Sequence, residues 1–304
     1  MKIFFSKPYR WAVVFSFLLI GSFTFTLFDT FVIPKTFTAI ETASAAEIST
    51  STQASILAET DPIITANSYE DENIKITIDT VCEYNSTIYI ADIQVSDASY
   101  LKTALAGNVY GRNIKEKTSE MAEENDAIFA INGDYYGFRD DGYVLRNGVA
   151  YRDTASNAEA LLIDAEGDFS IINENEVGME SLSSNGAWQV LSFGPALIEN
   201  GEIVVDGTSE VSQSKTSNPR TAIGQISELH YVVIVSDGRT SESEGLSLLE
   251  LAQEFEEMGC TTAYNLDGGG SSTMYFNGEI INNPTDGRSI SERGERHCLF
   301  RILI

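Results

Sequence analysis

Histidine and cysteine are scarce in this chain of 304 residues, which has two histidines and three cysteines. It contains no CxxC pair and no cluster of His with Cys, so the sequence does not indicate a zinc site. A serine hydrolase is not favoured either, because there is no GxSxG motif and His230 and His297 have no evident partner acid. In an oxidising compartment Cys260 and Cys298 could form a disulfide and leave Cys82 free.

Basic residues are also few: 19 Lys and Arg stand against 45 Asp and Glu, a formal net charge of −26. Nucleic acids bind to basic patches, so we expect no nucleic-acid partner. The run GGGSS lacks the lysine of a phosphate-binding P-loop, which argues against a nucleotide-binding enzyme. The acidic balance suits an exported, soluble domain, and 43% hydrophobic residues are ample for its core.

Charged residues are absent from residues 11–28, WAVVFSFLLIGSFTFTLF, which follow three basic residues. This length is about the minimum for a membrane-spanning helix and exceeds the ~7–15 apolar residues of a typical cleaved signal. We therefore predict that residues 1–35 are a signal-anchor in the cell membrane, with a single pass and the rest of the chain outside the cytoplasm. The small residues of TASAAE, 42–47, leave cleavage and secretion open as the alternative.

Thr, Ser and Ala are frequent in residues 36–68, which show no clear period. This composition is typical of a flexible linker. We therefore predict that one compact region, residues 69–304, carries the function.

Turn signals between strand-like segments recur along the predicted domain. Residues 74–81 and 87–95 alternate apolar and polar side chains, as paired strands do. VLRNGVAYR, LLIDAEGDFSII and PALIENGEIVVDG each place a turn between two strand-like flanks, which indicates β-hairpins. Residues 118–125 have a helical pattern and lead into the short apolar strand AIFAI, 127–131.

A strand, a helix and a second strand follow one another in residues 231–267. YVVIVSDGR is typical of a buried strand that ends at Asp237, and TTAYNL of one that ends at Asp267. Between them, Ser247 and Glu250 have the spacing of a capping box, and apolar residues recur at helical spacing. Such a unit is a right-handed crossover between parallel strands. The predicted fold class is therefore α/β to α+β: a mixed β-sheet with a parallel βαβ crossover, several β-hairpins and few helices.

Three predicted strand ends place an acid next to glycine, in the segments NGD, SDGR and LDGGGSS. Parallel strands share a direction, so the crossover brings Asp237 and Asp267 to one rim of the sheet, where α/β proteins bind ligands. On the assumption that AIFAI joins that sheet, Asn132, Gly133 and Asp134 lie at the same rim. The sequence therefore predicts one shared site.

Glycine and serine follow the acid in the third segment. Gly268, Gly269 and Gly270 have no side chains, so their N–H groups can point into one concavity that binds an anion. Ser271 and Ser272 add hydroxyl donors. An anion also favours guanidinium partners, and three arginines in glycine- or proline-containing turns are the candidates. These are Arg220, Arg239 and Arg296.

The ordered set of motifs from Tyr69 to the carboxyl terminus resembles the phosphodiester glycosidase family. The motifs are NGDYYG, RNGV, SFGPALIENG, NPRTAIG, SDGR, a helix that ends in MGC, and NLDGGGSSTMYFNG with Asn-Asn-Pro after it. The family includes exported bacterial proteins linked to exopolysaccharides. The resemblance implies hydrolysis of the bond between the anomeric carbon of a sugar and a phosphate.

Carboxylates act on the electron-poor anomeric carbon in such a reaction. We expect Asp134 and Asp267 to act there as catalytic residues, and Asp237 to pair with an arginine or to bind a cation. Arg220 and Arg239 are expected to hold the phosphate. The other predicted substrate-binding residues are Asn132, Gly133, Gly268, Gly269, Gly270, Ser271, Ser272 and Arg296.

The expected substrate is a sugar phosphate or glycan, such as a GlcNAc-1-phospho-sugar or a wall or capsule polysaccharide. The motifs require no cofactor, but carboxylates at strand ends suit calcium, so a divalent cation is left open. The alternative function is a non-catalytic envelope module that binds anionic glycans through the same residues. That module would bind without turnover.

Overall fold

The computed structural model describes residues 9–40, 61–137, 139–206, 217–287, 289–294 and 298–303. It is mostly β-structure with few helices, a mixed α+β fold that agrees with the predicted class. The helices are α1 (Arg10–Phe31), α2 (Thr118–Glu124), α3 (Met179–Ser184) and α4 (Leu248–Glu257). The strands are β1 (Lys35–Thr36), β2 (Ile63–Ile64), β3 (Ser68–Glu70), β4 (Ile74–Glu83), β5 (Ser86–Val95), β6 (Leu101–Leu105), β7 (Gly111–Arg112), β8 (Ala127–Asn132), β9 (Val144–Arg146), β10 (Val149–Arg152), β11 (Glu159–Asp164), β12 (Phe169–Asn173), β13 (Ala187–Leu191), β14 (Ala196–Glu199), β15 (Glu202–Ile203), β16 (Arg220–Ser227), β17 (His230–Ser236), β18 (Thr262–Asn265), β19 (Met274–Phe276), β20 (Glu279–Ile280), β21 (Thr285–Asp286), β22 (Ser289–Ile290) and β23 (Cys298–Leu303).

The predicted hairpins are confirmed. β4 pairs with β5, β9 with β10, β11 with β12 and β14 with β15, all antiparallel. Asn147 and Asn200 take positive φ in two of the turns, each followed by a glycine that also has positive φ. Asn-Gly tolerates this conformation, which is why the dipeptide marks tight hairpins.

The largest sheet has nine strands in the order β15-β14-β18-β16-β17-β5-β4-β3-β2. β17 and β18 run in the same direction, because each is antiparallel to β16, which lies between them. Helix α4 connects these two strands, but they are not neighbours, so the predicted crossover between paired parallel strands is not confirmed. Arg220 pairs with Ser236 and Ala222 with Asn265, so the end of β17, the start of β16 and the end of β18 share one edge of the sheet.

β8 belongs to a different sheet, of order β20-β19-β8-β23-β6. The assumption that AIFAI joins the sheet of the crossover is therefore wrong. A third sheet of five strands has the order β10-β9-β13-β11-β12. The main hydrophobic core holds residues from all three sheets, among them Ile76, Phe129, Leu161 and Ile223. This shared core packs the end of β8 against the edge formed by β16 and β18.

Helix α4 follows its sequence signals closely. The Ser247 hydroxyl accepts from the Glu250 N–H, and the Glu250 carboxylate accepts from the Ser247 N–H, which completes the predicted capping box. Leu248, Leu251 and Phe255 are buried in a second core between the helix and the large sheet. Local propensity and tertiary packing agree here, as they do in stable helices.

Glu254 is the exception on the buried face of α4, being 4% exposed. Its Oε1 has no hydrogen-bond partner among the described residues. Burial raises its pKa from 4.5 to about 7, and the neighbouring charges of Glu83 and Glu257 add to the effect. The native state therefore holds this proton at pH values where the unfolded chain releases it.

We expect Glu254→Gln to raise the melting temperature at pH 8 and to leave it unchanged near pH 4.5. The wild type loses stability as pH rises from about 4.5 to about 7, because ionising a carboxyl with a raised folded-state pKa costs free energy. Thermal unfolding of the two proteins across this pH range measures the difference. Glu256→Gln, an exposed change on the same helix, is the control, and an equal gain from both variants would disprove the assignment.

Cys260 is a free thiol, 2% exposed in the core beneath α4. The Cys260–Cys298 disulfide considered from the sequence is therefore not formed. Burial raises the pKa of the Cys260 thiol to about 12, so it stays protonated and inert at neutral pH. His230 contacts Asp92 on the neighbouring strand, with 2.8 Å between Nε2 and Oδ2, which fits a structural histidine.

Helix α1 is long and apolar enough to cross a membrane, and none of its residues is buried. A signal sequence near the N-terminus can meet the same criteria of length and composition, so α1 fits either an anchor or a signal. The chain that follows it, residues 33–40, docks on the domain, and we call it the strap. β1 of the strap pairs antiparallel with β7, and the Ile40 N–H donates to the Ala150 carbonyl at 2.8 Å. A Cβ at Gly111 would collide with the Lys35 carbonyl, so glycine permits this close approach.

The predicted linker, residues 36–68, is thus attached to the domain at both ends. The strap holds its first residues, and β2 and β3 join the large sheet at its end. Residues 41–60, with the small-residue stretch 42–47, lie outside the described residues.

Candidate functional site

The backbones of the predicted site segments meet at one place. The Asp267 N–H donates to the Gly133 carbonyl at 3.1 Å, and the Gly269 N–H donates to the Pro219 carbonyl at 2.8 Å. A Cβ at Gly238 would lie 2.7 Å from the Pro219 nitrogen. The NGD, NPR, SDGR and LDGGGSS segments therefore converge around residues 267–272, which we call the glycine loop.

Asp267 is a partly exposed carboxylate at the start of the glycine loop. Its Oδ1 accepts from the Gly268 N–H at 3.0 Å, and its Oδ2 accepts from the Ser271 hydroxyl at 2.7 Å. Both oxygens are thereby oriented by the loop itself. Short-range bonds of this kind hold a reactive group in one rotamer.

The loop amides differ from the anion-binding arrangement expected from the sequence. The Gly268 N–H donates to the Asp267 carboxylate and the Gly269 N–H donates to the Pro219 carbonyl, so both amides have protein partners. Ser271 is fully buried and donates to Asp267, and the Ser272 hydroxyl is buried without a partner among the described residues. The amides of Gly268 and Gly269 are therefore engaged within the protein, and an anion needs donors from other groups of the site.

Two guanidinium groups supply such donors. A Cβ at Gly269 would lie 2.7 Å from Nη2 of Arg239, and a Cβ at Gly270 would collide with the guanidinium of Arg293. Arg239 is exposed and is oriented by the Asn218 side chain, whose Oδ1 accepts from Nε and Nη2 at 3.2 and 3.1 Å. The missing side chains of two adjacent glycines therefore make room for two cations.

Arg293 was not singled out by the sequence reasoning. Its Nε and Nη2 donate to Oδ1 of Asp286 at 2.9 and 2.8 Å, and its side chain is 40% exposed. The residue predicted from the same stretch, SERGERH, is Arg296, which lies outside the described residues. The glycine that follows Arg293 is the local signal that could have pointed to it.

Asn132 joins the two sheets beneath the site. Its Nδ2 donates to the Asp267 carbonyl at 2.6 Å, and its Oδ1 accepts from the Thr221 hydroxyl at 2.8 Å and from the Thr273 N–H at 3.1 Å. The side chain is fully buried. Asn132 thus places the start of the glycine loop, although the sequence suggested that it contacts substrate.

Asp134 forms a buried ion pair. Nη2 of Arg146 lies 2.6 and 2.7 Å from the two carboxylate oxygens, and the Ser192 N–H donates to Oδ2 at 3.0 Å. Asp134 is 1% exposed and Arg146 is 2% exposed. The RNGV motif therefore contributes more than a hairpin turn, because its arginine neutralises the aspartate of NGD.

Arg220 and Asp237 also have structural contacts. Arg220 is 3% exposed, and its Nε donates to the Leu246 carbonyl at 2.8 Å. Asp237 is 5% exposed and accepts from the N–H and Nδ2 of Asn283, at 2.8 and 2.9 Å, and from the Tyr89 hydroxyl at 3.2 Å. Asp237 thereby fixes the Asn-Asn-Pro turn against the site.

The predicted site is therefore brought together at the level of the backbone, whereas its side chains divide into two groups. Asp267, Arg239 and the loop glycines lie at one accessible place, which Arg293 completes. Asp134 and Arg220 face buried partners. Among the residues that the structure describes, no three side chains of His, Cys, Asp or Glu are placed to share a metal ion.

Comparisons with known proteins find relatives over more than half of the chain. A Bacillus subtilis protein, "SPbeta prophage-derived uncharacterized protein YomE", is 32% identical over 186 residues, which are 59% of this chain and 29% of that protein. Human N-acetylglucosamine-1-phosphodiester alpha-N-acetylglucosaminidase is 32% identical over 186 residues, which are 55% of this chain and 35% of that enzyme. The chain spans about a third or less of the length of the curated relatives that it matches.

Solved structures show the same fold. The catalytic domain of the zebrafish N-acetylglucosamine-1-phosphodiester alpha-N-acetylglucosaminidase, auto-inhibited by its pro-peptide, has a TM-score of 0.61 at 20% identity, over 76% of this chain and 83% of that one. A hypothetical protein from Synechocystis has a TM-score of 0.54 at 15% identity, over 76% of this chain and 62% of that one. The family model of phosphodiester glycosidases matches residues 125–299, more than half of the sequence. The chain therefore belongs to the phosphodiester glycosidase family.

Proposed function

We propose that this protein is an exported, membrane-anchored hydrolase that cleaves the glycosidic bond of a sugar-1-phosphodiester. One observation carries the proposal: two guanidinium groups, of Arg239 and Arg293, lie against adjacent glycines, and the oriented carboxylate of Asp267 begins the same loop. A phosphodiester next to a sugar presents the matching pattern, an anion beside an anomeric carbon.

The arginines suit the phosphate. Guanidinium groups bind phosphate oxygens through paired N–H donors, and such charge-assisted hydrogen bonds are stronger than neutral ones. Both arginine side chains are accessible. In a chain with a net charge of −26, two guanidinium groups beside one loop are a local concentration of cationic donors, one of which, Arg293, is paired with Asp286.

Asp267 suits the sugar. In the proposed reaction water adds to the anomeric carbon, and the bond from that carbon to the phosphate oxygen breaks with its electron pair on the phosphate. The leaving phosphate monoester is a stable anion, so it needs less protonation than a sugar alcohol. A carboxylate can stabilise the electron-poor carbon, attack it or take the proton of the water, and Asp267 is a partly exposed carboxylate on the glycine loop.

In this proposal Asp134 stabilises the site through its ion pair with Arg146 and does not act on the substrate. Its carboxylate is matched by Arg146 and is sealed from solvent, so a direct action on substrate would require that ion pair to open. The two aspartates can be separated by mutation, because one change removes a reactive group and the other breaks a buried pair.

The membrane location rests on α1, whose apolar residues are exposed in the folded chain. Burial in a bilayer would remove this surface from water. The few basic residues before the helix favour an orientation with the domain outside the cytoplasm. Wall, capsule or other glycans with sugar phosphates are substrates of the right chemistry at that location.

The test is hydrolysis of methyl GlcNAc-1-phosphodiester by the full-length protein in detergent, measured as free GlcNAc with and without EDTA. We expect turnover, and we expect no turnover of the corresponding methyl glycoside, which lacks the phosphate. Arg239→Gln and Arg293→Gln should each lower kcat/KM roughly tenfold to a hundredfold, the usual effect of losing a hydrogen bond to a charged group. Lys75→Gln, a change in an exposed ion pair remote from the loop, is the control.

Binding without turnover would instead support the alternative, a non-catalytic module for anionic glycans. Loss of turnover in EDTA would show that a divalent cation takes part.

A further inference from the structure

A second polar and aromatic cavity lies beside the Asp134–Arg146 ion pair. Its volume is about 300 Å³, which is at the lower end of the range of small-molecule pockets, ~300–1,000 Å³. Tyrosine and arginine side chains dominate its described lining, and we call it the tyrosine–arginine pocket. Tyr136 comes from the NGDYYG motif, and Tyr151 and Arg152 come from the hairpin VLRNGVAYR.

Aromatic rings form one part of the pocket. The ring centroid of Tyr110 lies 5.3 Å from that of Tyr136, 5.2 Å from that of Tyr151 and 5.9 Å from that of Phe37. Tyrosines offer an apolar face together with a hydroxyl that can donate or accept a hydrogen bond. This combination suits a sugar, whose ring has apolar C–H faces and a polar edge.

Arginines form the other part. Arg112, Arg139 and Arg152 line the pocket, and Asp140 is the acid in its described lining, paired with Arg112. Arg139 donates to the Ser192 carbonyl at 3.2 Å, and Arg152 donates to the Gly142 carbonyl at 2.5 Å. Carbonyl groups orient these guanidiniums without cancelling their charge, so the pocket is positive within a strongly acidic chain.

The pocket is tied to the first site by short stretches of chain. Tyr136 is two residues beyond Asp134, whose carboxylate accepts from the Ser192 N–H, and the carbonyl of Ser192 is the acceptor for Arg139. On the other side of Asp134, the Gly133 carbonyl bonds the first residue of the glycine loop. The two places are therefore joined through Asp134 and the residues on either side of it.

We propose that the tyrosine–arginine pocket is a binding site for a sugar ring that carries its own negative charge, such as a phosphate or carboxylate. The inference deepens the proposed function and rests on it: the substrate is then an anionic glycan with charged groups on successive sugars, of which the pocket holds one and the glycine loop another. Phe37 belongs to the strap, so the pocket is complete only when residues 33–40 are docked.

The experiment measures binding of glucose 6-phosphate to the full-length protein in detergent, by calorimetry, with glucose and inorganic phosphate as comparison probes. We expect glucose 6-phosphate to bind about tenfold tighter than either comparison probe, because ring and charge are recognised together. Tyr151→Ala and Arg112→Gln should each weaken its binding by about fivefold or more. Arg112→Gln leaves Asp140 largely exposed, 85% by side chain, so this variant is expected to fold normally.

Lys75→Gln, which removes an exposed lysine from a surface ion pair with Glu70, is the control and should leave the affinity for glucose 6-phosphate unchanged. If the wild type does not bind glucose 6-phosphate, or if Arg239→Gln weakens binding while Arg112→Gln does not, the pocket proposal is wrong. These readings do not depend on turnover. Hydrolysis of the methyl phosphodiester decides the proposed function separately, so the failure of one proposal can be told from the failure of the other.

Discussion

Asp267→Asn is expected to lower kcat on a sugar-1-phosphodiester by about 100-fold or more while the protein stays folded. Asparagine has the size of aspartate, and its oxygen can still accept from the Gly268 N–H or the Ser271 hydroxyl. It lacks the negative charge that stabilises or attacks an electron-poor anomeric carbon. Steady-state rates at saturating substrate, together with the melting temperature of each protein, measure the two effects.

Asp79→Asn is the control for this experiment, because Asp79 is an exposed aspartate in β4. It should change neither the rate nor the melting temperature. A folded Asp267→Asn protein with a near-normal rate would remove Asp267 from the reaction and would leave the glycine loop without a chemical role.

Asp134→Asn is expected to lower the free energy of unfolding by about 3–5 kcal/mol, because it leaves the guanidinium of Arg146 buried without its counter-charge. Arg146 is 2% exposed and cannot turn to solvent without disturbing the third sheet. The new amide would also point N–H donors at a site where the Ser192 N–H and Arg146 already donate. Urea denaturation of the purified protein measures the loss.

A double-mutant cycle with Arg146→Met measures how much of the lost stability comes from the interaction between Asp134 and Arg146. Removing both charges should restore part of the stability lost in either single variant, because no buried charge is then left unpaired. Additive losses would contradict this account of the ion pair. An Asp134→Asn protein of normal stability but greatly reduced rate would also contradict it, and would indicate that Asp134 acts in the reaction, as the sequence suggested.

The parts of the fold that local signals determine could be predicted from the sequence. Helix α4 has its cap, its apolar stripe and its glycine stop within one short segment, and all of them act as expected. The Asn-Gly turns define their hairpins in the same way, since the conformation that they adopt depends on two residues.

Contacts between distant segments could not be predicted in the same way. β16 separates β17 from β18 because a strand that precedes both of them in the chain inserts between them, and no property of the crossover segment itself requires this. β8 joins a second sheet for a similar reason, with β19 and β23 as its partners. Strand neighbours far apart in sequence depend on packing across the whole core.

In the candidate site, too, some features follow from local sequence and others depend on packing between distant segments. DGGGSS marked the position of the glycine loop, because three glycines are needed where guanidinium groups and backbone come close together. The direction in which each side chain points could not be predicted from the motifs in the same way. Arg220 and Thr221 are neighbours, but the alternation of a strand sends them to opposite faces, so Thr221 meets Asn132 while Arg220 reaches the Leu246 carbonyl.

Hydrolysis in water labelled with oxygen-18, followed by phosphorus NMR of the released phosphate monoester, tests the central claim most directly. If the glycine loop holds the phosphate while water adds to the sugar, the bond to the anomeric carbon breaks and the phosphate carries no label. A phosphorus signal shifted by oxygen-18 would show that water attacked phosphorus, and it would contradict the assignment of this site to a glycosidase.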